Sequence, residues 1–223
     1  MKENILKKFT NYVKFDTQSM DGSTTQPSTL KQRKLGEFLV EELHSMGVEN
    51  AYIDEYGYVY ATIKSNVGST NSLGLIAHMD TSDEASGKDV NPKVINNYDG
   101  SIIVLNEALG LKLDPKEFNY LNNQIGHELI TTDGTTLLGA DDKAGITIIM
   151  EVVKNIINNN LPHPNLIITF TPDEEVGKGT DNFNFEHCPC DFGYTCDGGA
   201  VGTIDFENFN WYNDAFEFRV CYT

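Results

Sequence analysis

Short apolar segments alternate with helical segments along this chain, and this alternation constrains its fold more than any other feature. Residues 73–77 and 165–171 have the composition of strands that are buried on both faces of a parallel sheet. A further strand is predicted at 192–196, and a helix from Asp142 to about Asn158 precedes the second strand. The pattern therefore predicts an α/β fold with a mainly parallel central sheet flanked by helices.

The remaining pattern places more elements around that centre. A first helix is predicted from about Glu3 to Phe15, and a second, with its apolar residues on one side, should stop at Gly47. Residues 81–140 carry turn signals but little sustained periodicity, so we interpret them as a functional insertion with hairpins and not as a separate domain. Two more strands are predicted at Ala51–Asp54 and Tyr58–Ile63.

Charge excludes some classes of partner. The chain has 33 acidic and 16 basic residues, a formal net charge of -17, so its surface should repel nucleic acids and anionic membranes. Neither a signal peptide nor a transmembrane segment is predicted. The cysteines have no common zinc-finger spacing, and reduced thiols in a cytoplasmic protein are expected.

Side chains that bind hard or borderline cations occur where the predicted strands end. In open α/β sheets, ligands bind outside the carboxyl ends of the strands, so these side chains should lie at one edge of the sheet. They occupy four segments: His78–Asp80, Gly139–Gly145, Thr171–Gly177 and Thr195–Gly199.

Each segment also has an interpretation without metal. A lone His78 is more often a satisfied polar residue, Asp141 or Asp142 could be an N-cap, and the acidic pairs could be solvated turns. Convergence argues against these interpretations, because unpaired carboxylates at one edge would repel one another unless cations neutralised them. We therefore predict a site that holds two divalent ions about 3.5–4 Å apart.

The spacing also suggests a division of roles. Asp80, two residues after His78, can accept the other imidazole N–H and fix the tautomer. Of the adjacent Glu174 and Glu175, one can bind metal while the other acts as general base.

At these residues the chain resembles the peptidase T family, tripeptide aminopeptidases among the co-catalytic zinc exopeptidases. The likeness runs from the N-terminus to about Asn210, and two of its motifs, at 86–92 and 138–145, are far more specific than the shared His-x-Asp and Asp-Glu-Glu. The matching segments are 77–82, 86–92, 129–145, 170–179 and 197–199.

The resemblance implies roles for individual residues. His78 and Asp197 would hold one metal, Glu175 would help to hold the other, and Asp141 would bridge them before a cis peptide to Asp142. Glu174 would be the general base, and Asp80 would orient His78. The implied cofactors are two Zn²⁺ per complete chain, with Co²⁺ or Mn²⁺ as substitutes. The implied substrates are short peptides with a free N-terminus, and a homodimer is possible for the complete form.

The chain also departs from the family. Members continue through a lid domain and return to complete the catalytic domain, and each of these segments supplies a histidine that His44, His127, His163 and His187 do not match. We expect residues 1–208 to be the N-terminal part of an incomplete catalytic domain. We expect 209–223 to be a divergent tail where the lid would begin, so that the lid is absent or only begun.

Two kinds of alternative function remain open. The first is a related dipeptidase, carboxypeptidase or deacylase that uses the same metals. The second is a non-catalytic metal-binding fragment. We expect the 223 residues alone to have negligible tripeptidase activity, because a metal ligand and a carbonyl donor of the family are missing.

Overall fold

A computed structural model of the chain describes residues 2–198. The tail predicted at 209–223 lies outside the described residues, as do Gly199 and Cys221, so the predicted division of the chain at residue 208 stays a prediction. Within residues 2–198, no helix is both long and apolar enough to span a membrane.

Three α-helices form in this described part of the chain: α1 (Lys2–Tyr12), α2 (Gln32–Ser45) and α3 (Ala140–Asn159). The predicted stop of α2 is confirmed, because Gly47 has a φ of +89°. There, the N–H groups of Gly47 and Val48 bond to the carbonyls of His44 and Leu43, a Schellman ending that needs a left-handed residue. In contrast, α1 ends three residues before the predicted Phe15.

Nine strands and a short 3₁₀ helix at Asn119–Gln124 complete the described elements. The strands are β1 (Tyr52–Ile53), β2 (Val59–Ile63), β3 (Ser72–His78), β4 (Lys93–Ile95), β5 (Ile103–Asn106), β6 (Leu111–Leu113), β7 (Leu129–Thr131), β8 (Asn165–Thr171) and β9 (Phe192–Thr195). The predicted first strand at Ala51–Asp54 is therefore only two residues long.

Among residues 2–198, the main sheet has five strands in the order β1-β2-β8-β3-β9. The β8, β3 and β9 strands are parallel, while β2 is antiparallel to β8 and β1 is antiparallel to β2. The predicted mainly parallel centre with flanking helices is thus confirmed. In this order β3 has a parallel neighbour on each side, β8 and β9.

The two faces of this sheet have different packing. Because side chains alternate along a strand, Leu166, Ile168 and Phe170 of β8 face one core while Ile167 faces another. The first core is covered by the three helices. The leucines of α2, spaced four residues apart, are fully buried in it, and burial of each contributes about 1.5–3 kcal/mol. These leucines are Leu35, Leu39 and Leu43.

The hairpins predicted between residues 81 and 140 are confirmed. The β5 and β6 strands pair as a hairpin, and β4 pairs antiparallel with β7. They enclose a small core of their own, around Tyr98, Ile103 and Leu121. The segment thus departs from the main sheet after β3 and returns at the start of α3.

Candidate metal centre

The parallel strands bring three of the predicted segments to one edge of the sheet. His78, the last residue of β3, lies opposite Thr171, the last of β8, and Ile76 lies opposite Thr195, the last of β9. Hydrogen bonds continue one residue past the strands, from Met79 N–H to the Thr171 carbonyl (2.8 Å) and from Cys196 N–H to the Ile76 carbonyl (2.7 Å). The residues that follow each strand therefore emerge side by side.

The start of α3 supplies the fourth segment by packing against the end of β9. A Cβ at Gly145 would lie 1.9 Å from the carbonyl oxygen of Cys196 and 2.4 Å from Oδ1 of Asp142. No side chain fits in this space, so a glycine is required for the helix to approach the strand. The approach places Asp141 and Asp197 on either side of His78.

His78 is the centre of the cluster. Its Nε2 atom lies 2.8 Å from Oδ1 of Asp141, 3.8 Å from Oδ2 of Asp197 and 3.9 Å from Oε2 of Glu174. The imidazole is 2% exposed, whereas the side chains of Asp141, Glu174 and Asp197 are 70%, 44% and 31% exposed. The histidine thus forms the floor of a site whose carboxylates remain open to solvent.

Asp80 is buried beneath the site and holds two of its segments. Its carboxylate lies 3.3 Å from Nδ1 of His78, which is also 3.1 Å from the Asp80 carbonyl oxygen. The same carboxylate accepts the backbone N–H groups of Glu174 (2.9 Å) and Glu175 (3.1 Å). An acceptor on Nδ1 leaves Nε2 directed at the carboxylates, and the two backbone bonds fix the glutamate turn relative to β3.

The two adjacent aspartates at the start of α3 have different contacts. Asp142 is buried, and its Oδ1 accepts the N–H of Gly145 at 3.1 Å, as an N-cap side chain does. Its Oδ2 accepts the N–H of His78 at 3.3 Å. The peptide between Asp141 and Asp142 is cis, and both residues have non-helical dihedral angles. The capping interpretation thus fits Asp142, while Asp141 faces His78.

Asp173 fixes the glutamate turn from the other side, and sequence reasoning did not identify it. It is fully buried with a φ of +59°. Its carboxylate accepts the N–H and hydroxyl of Ser28 and the amide of Gln32, at 2.5–2.7 Å. Gln32 Oε1 in turn accepts the Asp173 N–H at 3.2 Å. The turn that carries Glu174 and Glu175 is therefore held between Asp80 and the start of α2.

The pKa values reflect the crowding of negative charge. Burial, with smaller contributions from the charges of Asp197 and Asp141, raises the pKa of Asp142 to about 8 against a decrease caused by His78. Burial also raises the pKa of Glu174 and of Glu175, and neighbouring carboxylates add to both increases. A divalent cation would relieve this repulsion.

A hydrogen bond joins the imidazole of His78 and the carboxylate of Asp141 where a cation could bind. Burial opposes the charged imidazole, but hydrogen bonds to Asp141 and Asp80 outweigh it and raise the pKa of His78 well above its usual value. The hydrogen bond from His78 in turn lowers the pKa of Asp141. A metal ion that binds both Nε2 and Oδ1 would replace the proton of this hydrogen bond.

Three residues form a group that fits one metal ion. Donor atoms of His78, Asp141 and Asp197 all lie within 4.8 Å of one another. Zinc binds imidazole nitrogen and carboxylate oxygen tetrahedrally at about 2.0–2.2 Å, so two donors of one ion are about 3.4 Å apart. The donor types and their spacing therefore fit a zinc-type ion after a small adjustment of the exposed carboxylates. Glu175, the fourth predicted ligand, is not a member of this group of three and lies on the turn that Asp80 holds.

Lys143 is a buried cation that sequence reasoning did not assign. Its ammonium donates to the carbonyl of Phe15 at 2.8 Å. Burial lowers the pKa of Lys143 to about 8, while the charges of Asp16 and Asp80 act in the opposite direction. The lysine thus joins the start of α3 to the chain after α1, which pairs with the residue following Asp80 through the Gln18–Thr81 bridge.

Comparisons of sequence identify relatives of known type. Peptidase T of Halothermothrix orenii is 49% identical over 208 residues, which are 92% of this chain and 51% of the relative. Peptidase T of Bacillus subtilis is 49% identical over 212 residues, which are 94% of this chain and 52% of the relative. No protein-family model matches the chain. The resemblance to peptidase T is thus confirmed, and the chain spans about half the length of these relatives.

Comparisons of structure find the described fold in two solved peptidases. The aminopeptidase PepT of Bacillus cereus superposes with a TM-score of 0.66 at 22% identity, covering 91% of this chain and 45% of that protein. A tripeptidase of Staphylococcus aureus superposes with a TM-score of 0.62 at 25% identity and the same coverage. The described fold is therefore that of about half of each enzyme.

Proposed function

We propose that this chain, a homologue of about half of peptidase T, forms part of the catalytic domain of a zinc-dependent aminopeptidase that releases the N-terminal residue of tripeptides. The observation that carries the proposal is the convergence of His78, Asp141 and Asp197 at one sheet edge, with Glu174 3.9 Å from the imidazole. The names of the relatives, peptidase T and tripeptidase, support the substrate class.

The proposed ligand set divides between two zinc ions in the complete protein. His78 and Asp197 would bind the first ion, Asp141 would bridge, and Glu175 would contribute to the second. Zinc in such a site supplies Lewis-acid activation of water and of the scissile carbonyl. Co²⁺ and Mn²⁺ accept the same nitrogen and oxygen donors and are the expected substitutes.

Glu174 is the proposed general base. Its carboxylate faces His78 from the open side of the cluster, and a pKa raised by burial makes it a better proton acceptor than an ordinary carboxylate. It would take the proton of the attacking water and deliver it to the leaving amine. Asp80 would orient His78 and the glutamate turn without touching the substrate.

The acidic character of the site suits a substrate with a free α-ammonium group. The carboxylates together create a negative potential that attracts a cationic N-terminus. An N-acetylated peptide lacks that charge. An aminopeptidase is therefore favoured over a deacylase or a carboxypeptidase.

The metal half of the proposal can be tested on the chain itself. We expect purified protein to bind zinc in a calorimetric titration, and His78→Ala and Asp197→Ala to weaken binding strongly. Glu174→Gln should leave it within about threefold, since the base is not a ligand. Absence of zinc binding, or loss of zinc in Glu174→Gln alone, would contradict the assignment.

The catalytic half needs a complete enzyme. Residues 1–208 can be joined to the part of Bacillus subtilis peptidase T that this chain does not match. We expect the chimera to hydrolyse Ala-Ala-Ala but not its N-acetylated analogue, and Glu174→Gln in the chimera to lower turnover about 10²–10⁴-fold. A chimera that binds zinc, folds and hydrolyses no peptide would favour the metal-binding fragment instead.

A further inference from the structure

A pair of cysteines lies on the face of the sheet opposite the three helices. Sγ of Cys188 is 3.9 Å from Sγ of Cys190, and Pro189 lies between them in the sequence. Cys188 is buried against Tyr58, Tyr60 and Ile167. The metal centre does not use either thiol, so their proximity has a separate cause.

The backbone of this segment holds the two thiols on one side of a tight turn. The N–H of Cys190 donates to the carbonyl of Cys188 at 2.9 Å, a bond between residues two apart that defines a γ-turn. Proline fixes φ near −65°, close to the value of about −75° at the centre of an inverse γ-turn. The turn thus shortens the distance between the flanking Cα atoms, as a disulfide requires.

Contacts outside the turn fix each thiol. The hydroxyl of Thr169 lies 3.5 Å from Sγ of Cys188. Sγ of Cys190 occupies the space over Gly74, where an added Cβ would lie 2.8 Å from it. The next residue, Asp191, is anchored to Ser72 by hydrogen bonds in both directions. Both sulfur atoms are therefore positioned by the fold and not only by their closeness in sequence.

We propose that Cys188 and Cys190 form a reversible disulfide in the presence of a small-molecule disulfide such as oxidised glutathione. The Cys190 thiolate attacks one sulfur of the oxidant, which forms a mixed disulfide and releases one reduced thiol. Deprotonated Cys188 then attacks the sulfur of Cys190 and releases the second thiol. Two electrons pass to the oxidant, and the two protein thiols lose their protons.

The order of attack follows from exposure. Cys190 is half-buried, whereas Cys188 is buried, and burial raises the pKa of Cys188 to about 11. The more accessible thiol therefore meets the oxidant first, and the buried thiol resolves the intermediate. A disulfide between residues two apart closes a small, strained ring, so it should be readily reduced again.

The test uses the whole chain, free of metal, in glutathione buffers of stepped ratio, followed by alkylation with a maleimide and tryptic digestion. Peptide 179–219 contains Cys188, Cys190 and Cys196. We expect it to lose the mass of two hydrogens and to carry one maleimide, reversibly with added reductant. Cys196→Ser should lose the same two hydrogens, while Cys188→Ser and Cys190→Ser should not.

Two results would overturn the proposal. One is a peptide that shows only glutathione adducts or three maleimides at every ratio, and the other is loss of two hydrogens that persists in Cys188→Ser.

Pro189→Gly keeps both thiols, so it tests the turn. This substitution should lower the equilibrium constant for oxidation about two- to fivefold, because glycine lets the reduced turn adopt more backbone conformations than proline does. An unchanged constant would contradict preorganisation by the turn.

The zinc site provides an independent control. The cysteine turn precedes β9, whereas Asp197 follows it, so Cys188→Ser and Cys190→Ser should bind zinc as the unmodified chain does. Failure of zinc binding in all these proteins would contradict the proposed function and leave the disulfide proposal standing. A failure confined to the cysteine variants would contradict the separation of the two sites.

Discussion

Replacing Gly145 with alanine adds one methyl group at the contact between α3 and β9. The new Cβ would lie 1.9 Å from the carbonyl oxygen of Cys196, while Cβ contacts in proteins essentially never fall below 3.0 Å. The helix or the strand must therefore retreat by at least about 1.1 Å. The strand cannot retreat without loss, because the Cys196 N–H bonds to the Ile76 carbonyl at 2.7 Å.

This displacement is large compared with what a metal site tolerates. Metal–ligand distances in a competent site stay within about 0.2 Å of their ideal values, and the two segments that separate carry Asp141 and Asp197. Changes that disturb ligand orientation typically weaken metal binding about 10–100-fold. We expect at least that loss for Gly145→Ala, and overpacking should lower the free energy of unfolding by about 1–3 kcal/mol.

The measurement is zinc affinity, from competition with a chromophoric chelator, together with urea denaturation of the metal-free protein. Gly193→Ala is the matched control, because an added Cβ there meets only side chains, Cys190 Sγ at 3.5 Å and Ile76 Cδ1 at 3.7 Å. That variant should bind zinc normally. Zinc affinity of Gly145→Ala within twofold of the unmodified chain, with unchanged stability, would refute the reasoning.

Three further predictions concern the same centre. In a complete form such as the chimera, Glu175→Gln should lower zinc stoichiometry below two per chain by atomic absorption, whereas two zinc ions in Glu175→Gln would contradict its role as ligand. Asp173→Asn should lower the free energy of unfolding in urea by about 1–3 kcal/mol, because one carboxylate oxygen that accepts from Ser28 or Gln32 is replaced by an amide donor; unchanged stability would show that these bonds contribute little. Zinc at 100 times its dissociation constant should raise the free energy of unfolding by about 2.7 kcal/mol, and a chelator should reverse the gain. Identical denaturation curves with zinc and with chelator would count against a metal site in the folded chain.

The sequence predicts the place of the site well because the relevant rule is topological. Once residues 73–77, 165–171 and 192–196 are recognised as parallel strands, their carboxyl ends must meet. The side chains that follow them are then brought together without any knowledge of loops. The convergence of His78 and Asp197 follows from this rule, whereas Asp141 reaches them through the packing of α3 against the end of β9.

Features that depend on distant partners could not be predicted. Asp141 and Asp142 have the same local pattern, so without the resemblance to a known family only the approach of β9 and His78 distinguishes the cap from the residue that faces the site. Asp173 looks like any strand-ending polar residue, since Ser28, which holds it, is 145 positions away in the sequence. In the same way α1 ends before Phe15, whose carbonyl accepts a hydrogen bond from Lys143, 128 positions away, and local periodicity carries no signal of this tertiary contact.

The gathering of the site from distant segments has a consequence for folding kinetics. His78 and Asp141 are 63 positions apart and Asp80 and Glu174 are 94 positions apart, so the pocket closes only after the costly long-range loops of the parallel sheet have formed. Interactions that form after the rate-limiting step change the unfolding rate and leave the folding rate nearly constant. Bound zinc should therefore prolong the lifetime of the native state without accelerating its formation.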